Sequence, residues 1–302
     1  IQCTNRMVGR EASRLLPAFC EKSSTAQEQV VRRFAKHLGL TQRMATHTAQ
    51  KHFLETEDSS RDFIAMMRER TIDRNRDDIL NMDQTPISYS YHSNKTLDKR
   101  GSRTIHVRAS TTDTKRVTVA ATVTASGKML PPFMIFKGTP NGRIASREFG
   151  TYPPTGKYAC QKKAWMDEDL MHVWIDQVLT PYKEERDQRD PDGPPPILIL
   201  DAYCVHQMGS VMNSIQMMGI KVIHIPAGCT YLYQPINVGI NKPLKSLMCA
   251  KWEDWMVTEG VANDVAKEPS RKQVAEWLVD AYMHIPNQVA RNAWKKQGYA
   301  WF

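Results

Sequence analysis

Two aspartates stand where chemistry needs carboxylates. Asp83 closes the apolar run Ile79-Leu80-Asn81-Met82, and Asp201 closes Ile197-Leu198-Ile199-Leu200. Each run reads as a short strand, and a lone Asp after a strand is often a turn cap. Half-buried, however, a carboxylate is costly unless it is paired or binds a cation. Taken together, Asp83 and Asp201 predict a hard oxygen site for Mg2+ or Mn2+. Two such ions about 4 Å apart activate a water or hydroxyl and stabilise the leaving oxygen in phosphodiester cleavage. That chemistry wants a third acid, and the loop ahead of the last long helix, Gln234 to Lys245, holds none. His206, five residues after Asp201, is either a neighbour of the metal and scissile phosphate or an ordinary structural histidine.

The charge pattern names a partner for such a site. Net charge is +9, but residues 94–163 carry fourteen Lys and Arg against three acids, a local +11 that leaves −2 for the rest. Concentrating that much charge is unfavourable without an anion to neutralise it, and a phosphate backbone is the leading candidate. A solvated basic face without a ligand is the plain alternative.

The elements that would position these groups follow from periodicity. Val30, Phe34 and Leu38 recur every four residues from Thr25 to Leu38, with Thr25 and Glu28 spaced as a capping box and Gly39 as the stop. A second helix after Thr41 would turn Met44, Ala45 and Thr48 inward and Arg43, His47 and Lys51 outward. Helix, glycine turn, polar helix is the pattern of a helix-turn-helix and equally of a plain helical hairpin. A further helix, SSRDFIAMMRERT, precedes the polar linker at residues 73–78.

From there the period changes to two. Strand Ile79–Asp83 leads into a turn at Gln84-Thr85-Pro86, Thr104–Val107 is extended, and Val117–Thr124 with Met129–Phe136 forms a hairpin around Gly127. A helix over Asp167–Arg186 puts Leu170, Trp174 and Val178 on one face. The buried strand Ile197–Leu200, a helix at Val211–Met218, a strand at Val222–Ile225, a loop from Pro226 to Asn241 and a long helix with Trp252 and Trp255 complete a mixed α/β sheet. Those tryptophans, Trp277 and the methionines Met212, Met217 and Met218 read as core.

In order along the chain, Asn81-Met82-Asp83-Gln84-Thr85-Pro86, Lys115-Arg116-Val117-Thr118, Leu198-Ile199-Leu200-Asp201 with His206, Ile225-Pro226-Ala227-Gly228-Cys229-Thr230, and Gln234-Pro235 through Val238-Gly239 to Lys242-Pro243 resemble the DDE superfamily endonuclease domain of pogo/Tigger-type transposases, relatives of centromere protein B. The resemblance implies a ribonuclease-H-like fold flanked by helices over residues 74–302, after a partial helix-turn-helix segment over 1–73. It also implies two Mg2+ or Mn2+ ions, cut-and-paste activity on transposon-end duplex DNA, and action as more than one copy, a homodimer being simplest. Asp83 and Asp201 take the places of its first two metal-binding acids, and the third falls on Asn237. Asn offers a carbonyl oxygen but no charge, so the second ion should be weakened most. Glu253 and Asp254 lie about 24 Å further along a helix and are no substitutes.

Two functions follow: a metal-dependent endonuclease impaired by Asn237, or a domesticated or decayed domain that binds DNA without cutting it. Candidate DNA contacts are Arg43, His47 and Lys51, then Lys115, Arg116, Lys128, Lys137 and Arg143, and finally Lys242 and Lys245. Six scattered cysteines without a C-x-x-C pair exclude a zinc framework and favour a reducing compartment, the nucleus for a DNA-acting protein. No apolar run nears the ~20 residues of a membrane span. The first residue is Ile with no leader after it, as expected of a piece of a longer chain.

Overall fold

The computed structural model describes residues 12, 14–39, 53–91, 115–262, 265–266, 268–299 and 301–302. The expected second N-terminal helix with Arg43, His47 and Lys51, and the extended segment Thr104–Val107, lie outside the described residues.

The chain divides into two compact units, Ile1–Ala49 and Gln50–Phe302. The first contains α1 (Ser24–His37), capped by Ser23, whose hydroxyl accepts from the Ala26 N–H. The cap is therefore Ser23 and not Thr25. Val30, Phe34 and Leu38 on this helix are exposed. The second unit begins with α2 (Phe53–Thr71). Phe63 and Met67 of α2 are buried with Ile79, Ile197, Ile199, Trp294 and Tyr299, so this helix packs with the sheet. The expected division at residue 73 thus falls earlier, because the apolar face of α2 has its partners in the second unit.

A six-stranded mixed sheet organises that unit. Its strands are β1 (Ile79–Ser88), β2 (Arg116–Thr124), β3 (Phe133–Lys137), β4 (Lys157–Gln161), β5 (Ile197–Leu200) and β6 (Lys221–His224), in the order β4-β3-β2-β1-β5-β6. β1, β2 and β3 are antiparallel neighbours, as the hairpin pattern predicts, with Gly127 in its turn at φ 93. β5 runs parallel to both β1 and β6. β7 (Val261–Ala262) and β8 (Val265–Ala266) form a separate short hairpin.

β1 is longer than its sequence suggests. It runs through Asp83 to Ser88, and the supposed turn Gln84-Thr85-Pro86 pairs with Ala120, Val119 and Thr118 of β2. Pro86 is tolerated because β5 leaves that edge of β1 after Asn81, so no ladder partner needs its missing N–H.

Helices cover both faces. α3 (Glu168–Trp174), α4 (Thr180–Arg189) and α5 (Gly209–Met217) follow β4 and β5, while α6 (Asn241–Thr258), α7 (Arg271–Met283) and α8 (Asn287–Lys296) close the chain. Val117, Val119, Ala121 and Val123 pack against Ile236, Ile240, Leu244 and α7 on one side. Leu80, Met82 and Ala120 pack against Met171, Trp174 and Val178 on the other. This two-residue alternation is what a strand buried on both faces requires.

Two details depart from expectation. The segment from Pro226 to Asn241 is not plain loop, since Thr230–Tyr233 is helical and Ile236–Ile240 forms a π-turn that runs into α6. Met217 is 89% exposed and so is not core, whereas Trp277 is buried and stacks edge-on with Trp255. Among the described residues no helix is long and apolar enough to cross a membrane.

Candidate active site

The register of β1 and β5 creates the site. Asn81 pairs with Ile199, and there the parallel ladder ends. Two residues further along each strand come Asp83 and Asp201, level with one another and, by strand alternation, on the same face. The crevice beyond the carboxyl ends of parallel strands is where open α/β sheets place their ligands. Asn81 fixes this corner. Fully buried, its Nδ2 donates to the Ile199 carbonyl at 3.0 Å, and its Oδ1 accepts from the Ile236 N–H at 3.3 Å. One side chain thereby ties β1, β5 and the π-turn together.

The two aspartates live in opposite electrostatic states. Burial pushes the Asp83 carboxyl up to about 7, and the Asp201 charge adds to this against the Gln84 backbone N–H, His206 and Gln234. Neither Oδ2 of Asp83 nor Nε2 of Gln234, which faces it, completes a hydrogen bond. For Asp201 burial also pulls upward, but His206, the Tyr203 N–H and His224 outweigh it, and the net shift is downward. The buried His206 links the two strands: its Nδ1–H donates to Asp201 Oδ1 at 2.6 Å, and its Nε2 accepts from Gln84 Nε2 at 3.0 Å. A nearby positive charge would favour the ionised form of both carboxyls.

The donor set fits a divalent cation. Asp83 Oδ2 is a buried, unpartnered oxygen, Asp201 is half-buried beside it, and both are hard donors. A third acid is not at hand: among the described residues no trio of His, Cys, Asp and Glu is placed to hold an ion. Asn237 sits exposed on the π-turn and reaches the pair through Gln234, donating from Nδ2 to Gln234 Oε1 at 2.9 Å. Its own Oδ1 accepts from Asn241 Nδ2 at 2.8 Å. The donors present therefore suit one cation better than two.

The predicted basic contacts scatter more widely. Lys115, Arg116, Lys137 and Lys245 line one cleft of about 1280 Å³, joined there by Lys163 and Arg271. Lys115 pairs with Glu268 inside that cleft. Lys128 is elsewhere, bound to Glu185 at 2.6 Å, and Arg143 opens an exposed short helix, Arg143–Arg147. Lys242 is exposed on α6. Sequence reading placed Asn81 and Gln234 in motifs but gave neither a role; a carboxamide inside an otherwise apolar run was the further signal for Asn81.

A family model described as DDE superfamily endonuclease matches residues 114–294, more than half of the chain. The chain belongs to this family. Over 229 residues it is 29% identical to the human protein "Pogo transposable element with KRAB domain", covering 72% of this chain and 34% of that protein, with the same figures for the mouse counterpart. The DDE chain thus spans about a third of the length of these curated relatives. Among solved structures it superposes on a pre-cleavage Mos1 transpososome with a TM-score of 0.61 at 11% identity, covering all of this chain and 78% of that one. A Mos1 mariner paired end complex with Mg gives the same TM-score and coverage, and one with Mn gives 0.60 over 97% of this chain and 76% of that one. The likeness shows the fold, the ribonuclease-H-like arrangement of a mixed sheet flanked by helices.

Proposed function

We propose that this DDE domain binds double-stranded DNA and presents Asp83 and Asp201 to a scissile phosphate, with cleavage impaired by Asn237. The observation that carries the reading is the level pair of carboxylates, one ionised and one forced up, at the point where β1 and β5 part. The named complexes of its structural neighbours, a transpososome and paired-end assemblies with Mg or Mn, support the same reading.

Asp83 and Asp201 would hold one divalent cation, whose bound state supplies Lewis-acid stabilisation of charge on phosphate oxygens. His206 orients Asp201 by its Nδ1–H and is itself held by Gln84. Gln234 lies between Asp83 and Asn237, and Asn81 ties the π-turn to β1 through the Ile236 N–H. In the third position Asn237 adds no negative charge, and its oxygen is engaged by Asn241. A second cation would therefore find few donors here. The same hydrogen bonding favours the alternative, a transposase-derived protein that holds DNA without cutting it, acting in the nucleus and assembling as a homodimer.

Nicking of labelled duplex DNA with Mn2+ tests the assignment. The natural chain should cut little or not at all, and Asn237→Asp should raise the rate by tenfold or more, the order expected from restoring a ligand-level interaction. Equal rates in both proteins would refute the role of this position. Duplex affinity should fall steeply as salt rises, since Lys and Arg contacts release counterions.

A further inference from the structure

We propose that the cleft beyond the carboxyl end of β1 is a single-strand site, holding the phosphates and one base of the unpaired nucleic-acid strand that continues from the carboxylate pair. This rests on the DNA reading above.

The cleft is rich in cations and poor in acids. Lys115 and Arg271 are answered by Glu268 and Glu148, while Arg116, Lys137, Lys163 and Lys245 line it exposed, with no ion pair among the described residues. At about 1280 Å³ it exceeds an ordinary small-molecule pocket of ~300–1,000 Å³. A strand of a few nucleotides is the polyanion of that size.

Two elements carry residues of both the cleft and the acid site. Along β1, Gln84, Pro86 and Ser88 share the face opposite Asp83; Gln84 reaches His206 at the end of β5, and Pro86 and Ser88 line the cleft. Ser88 lies about 17 Å of strand beyond Asp83. From Asn237 the π-turn and α6 lead to Asn241 and then Lys245, about 12 Å along a helical path. At about 3.4 Å per stacked nucleotide, a strand crossing the acids arrives after roughly four nucleotides.

Next in the chain to the lining residues Lys163 and Ala164 is an exposed aromatic, Trp165. Ala164 is buried yet sits at φ 56, a conformation unusual for a residue with a Cβ. Its carbonyl accepts from the Thr118 hydroxyl at 2.6 Å, and Gln161 Oε1 accepts from the Lys163 and Trp165 N–H groups on either side. This bracing directs Lys163 and Trp165 outward. Trp165 is 52% exposed, with the Lys163 ammonium 5.9 Å from its ring centroid. Cations along a backbone track with an exposed aromatic beside them are the ingredients of sequence-tolerant single-strand binding. Bases in a duplex are stacked already and cannot use the ring.

Fluorescence anisotropy with a short oligo-dT, a mixed-sequence duplex and inorganic tripolyphosphate tests this on the whole chain. Trp165→Ala should weaken oligo-dT binding by about fivefold or more and leave duplex binding unchanged. Lys137→Ala with Lys163→Ala should lower the slope of log affinity against log salt by about 1.4 for oligo-dT, two contacts at about 0.7 each. Both variants alter exposed side chains, and an unchanged thermal melt verifies their fold. Oligo-dT affinity indifferent to both variants, with duplex still bound, overturns the single-strand site alone. Tripolyphosphate binding as tightly as oligo-dT also overturns it, marking a pocket for a free polyanion. Loss of duplex and oligo-dT binding alike in the natural chain removes the DNA reading and the cleft with it.

Discussion

Asp83 makes the sharpest claim at the scale of single residues. Its carboxyl is raised in the fold, so the native state holds a proton that the unfolded chain releases at lower pH. The sign follows from linkage: stability from this group is full in acid and is lost as pH climbs from about 4 through about 7. In EDTA, Asp83→Asn should therefore gain on the natural chain in thermal melts as pH rises, with the gap closing towards pH 4. Melting curves that stay parallel across that window would refute it. Added Mg2+ should stabilise the natural chain at pH 8 and do little for the variant. Asp83 and Asp201 as neighbours were legible in the sequence, because apolar runs ending in acids mark them. Asn81 and Trp165 were not. Asn81 acts through partners 118 and 155 positions away, and Trp165 through an unusual backbone angle at its neighbour.

Among elements, the π-turn Ile236–Ile240 is the one whose position matters most. It carries Asn237 and meets α8 where Gly239 faces Ala293: a Cβ on Gly239 would lie 2.1 Å from the Ala293 Cβ. Only hydrogen fits. Gly239→Ala must push the turn off α8, at a cost of about 1–3 kcal/mol for an overpacked contact. It should also weaken metal-induced stabilisation, because the turn carries Asn237 and is tied to Asn81 of β1 through the Ile236 N–H. A melt and a Mg2+ titration read both; an unchanged melting temperature would contradict the close approach. Periodicity located β2, β3, β5, β6 and α6 well, since each is a long or uniformly patterned run. It missed the continuation of β1 because Gln84-Thr85-Pro86 looks like a turn locally, and only the departure of β5 makes that proline acceptable. The π-turn was read as loop for a similar reason: its packing partner α8 is some fifty positions away in sequence.

At the scale of the molecule, the sheet, its two layers of helices and α2 form one unit, and Ile1–Ala49 forms another. The fragment Gln50–Phe302 should consequently fold cooperatively and melt close to the temperature of the second unit in the whole chain. A fragment without a cooperative calorimetric transition would show that the division is not one of stability. α2 must be kept in that fragment, because removing it strips Phe63 and Met67 from a core shared with Trp294 and Tyr299.

The pairing of Asn81 with Ile199 has one more consequence, for how this chain can change in length. Side chains alternate along β1, so a single residue inserted between Asn81 and Asp83 would swing the carboxylate to the α3 side of the sheet and out of reach of its partner. Indels there are tolerable only in twos, if at all. The long stretch between β1 and β5 obeys no such parity, and growth or shrinkage within its loops leaves the two acids abreast.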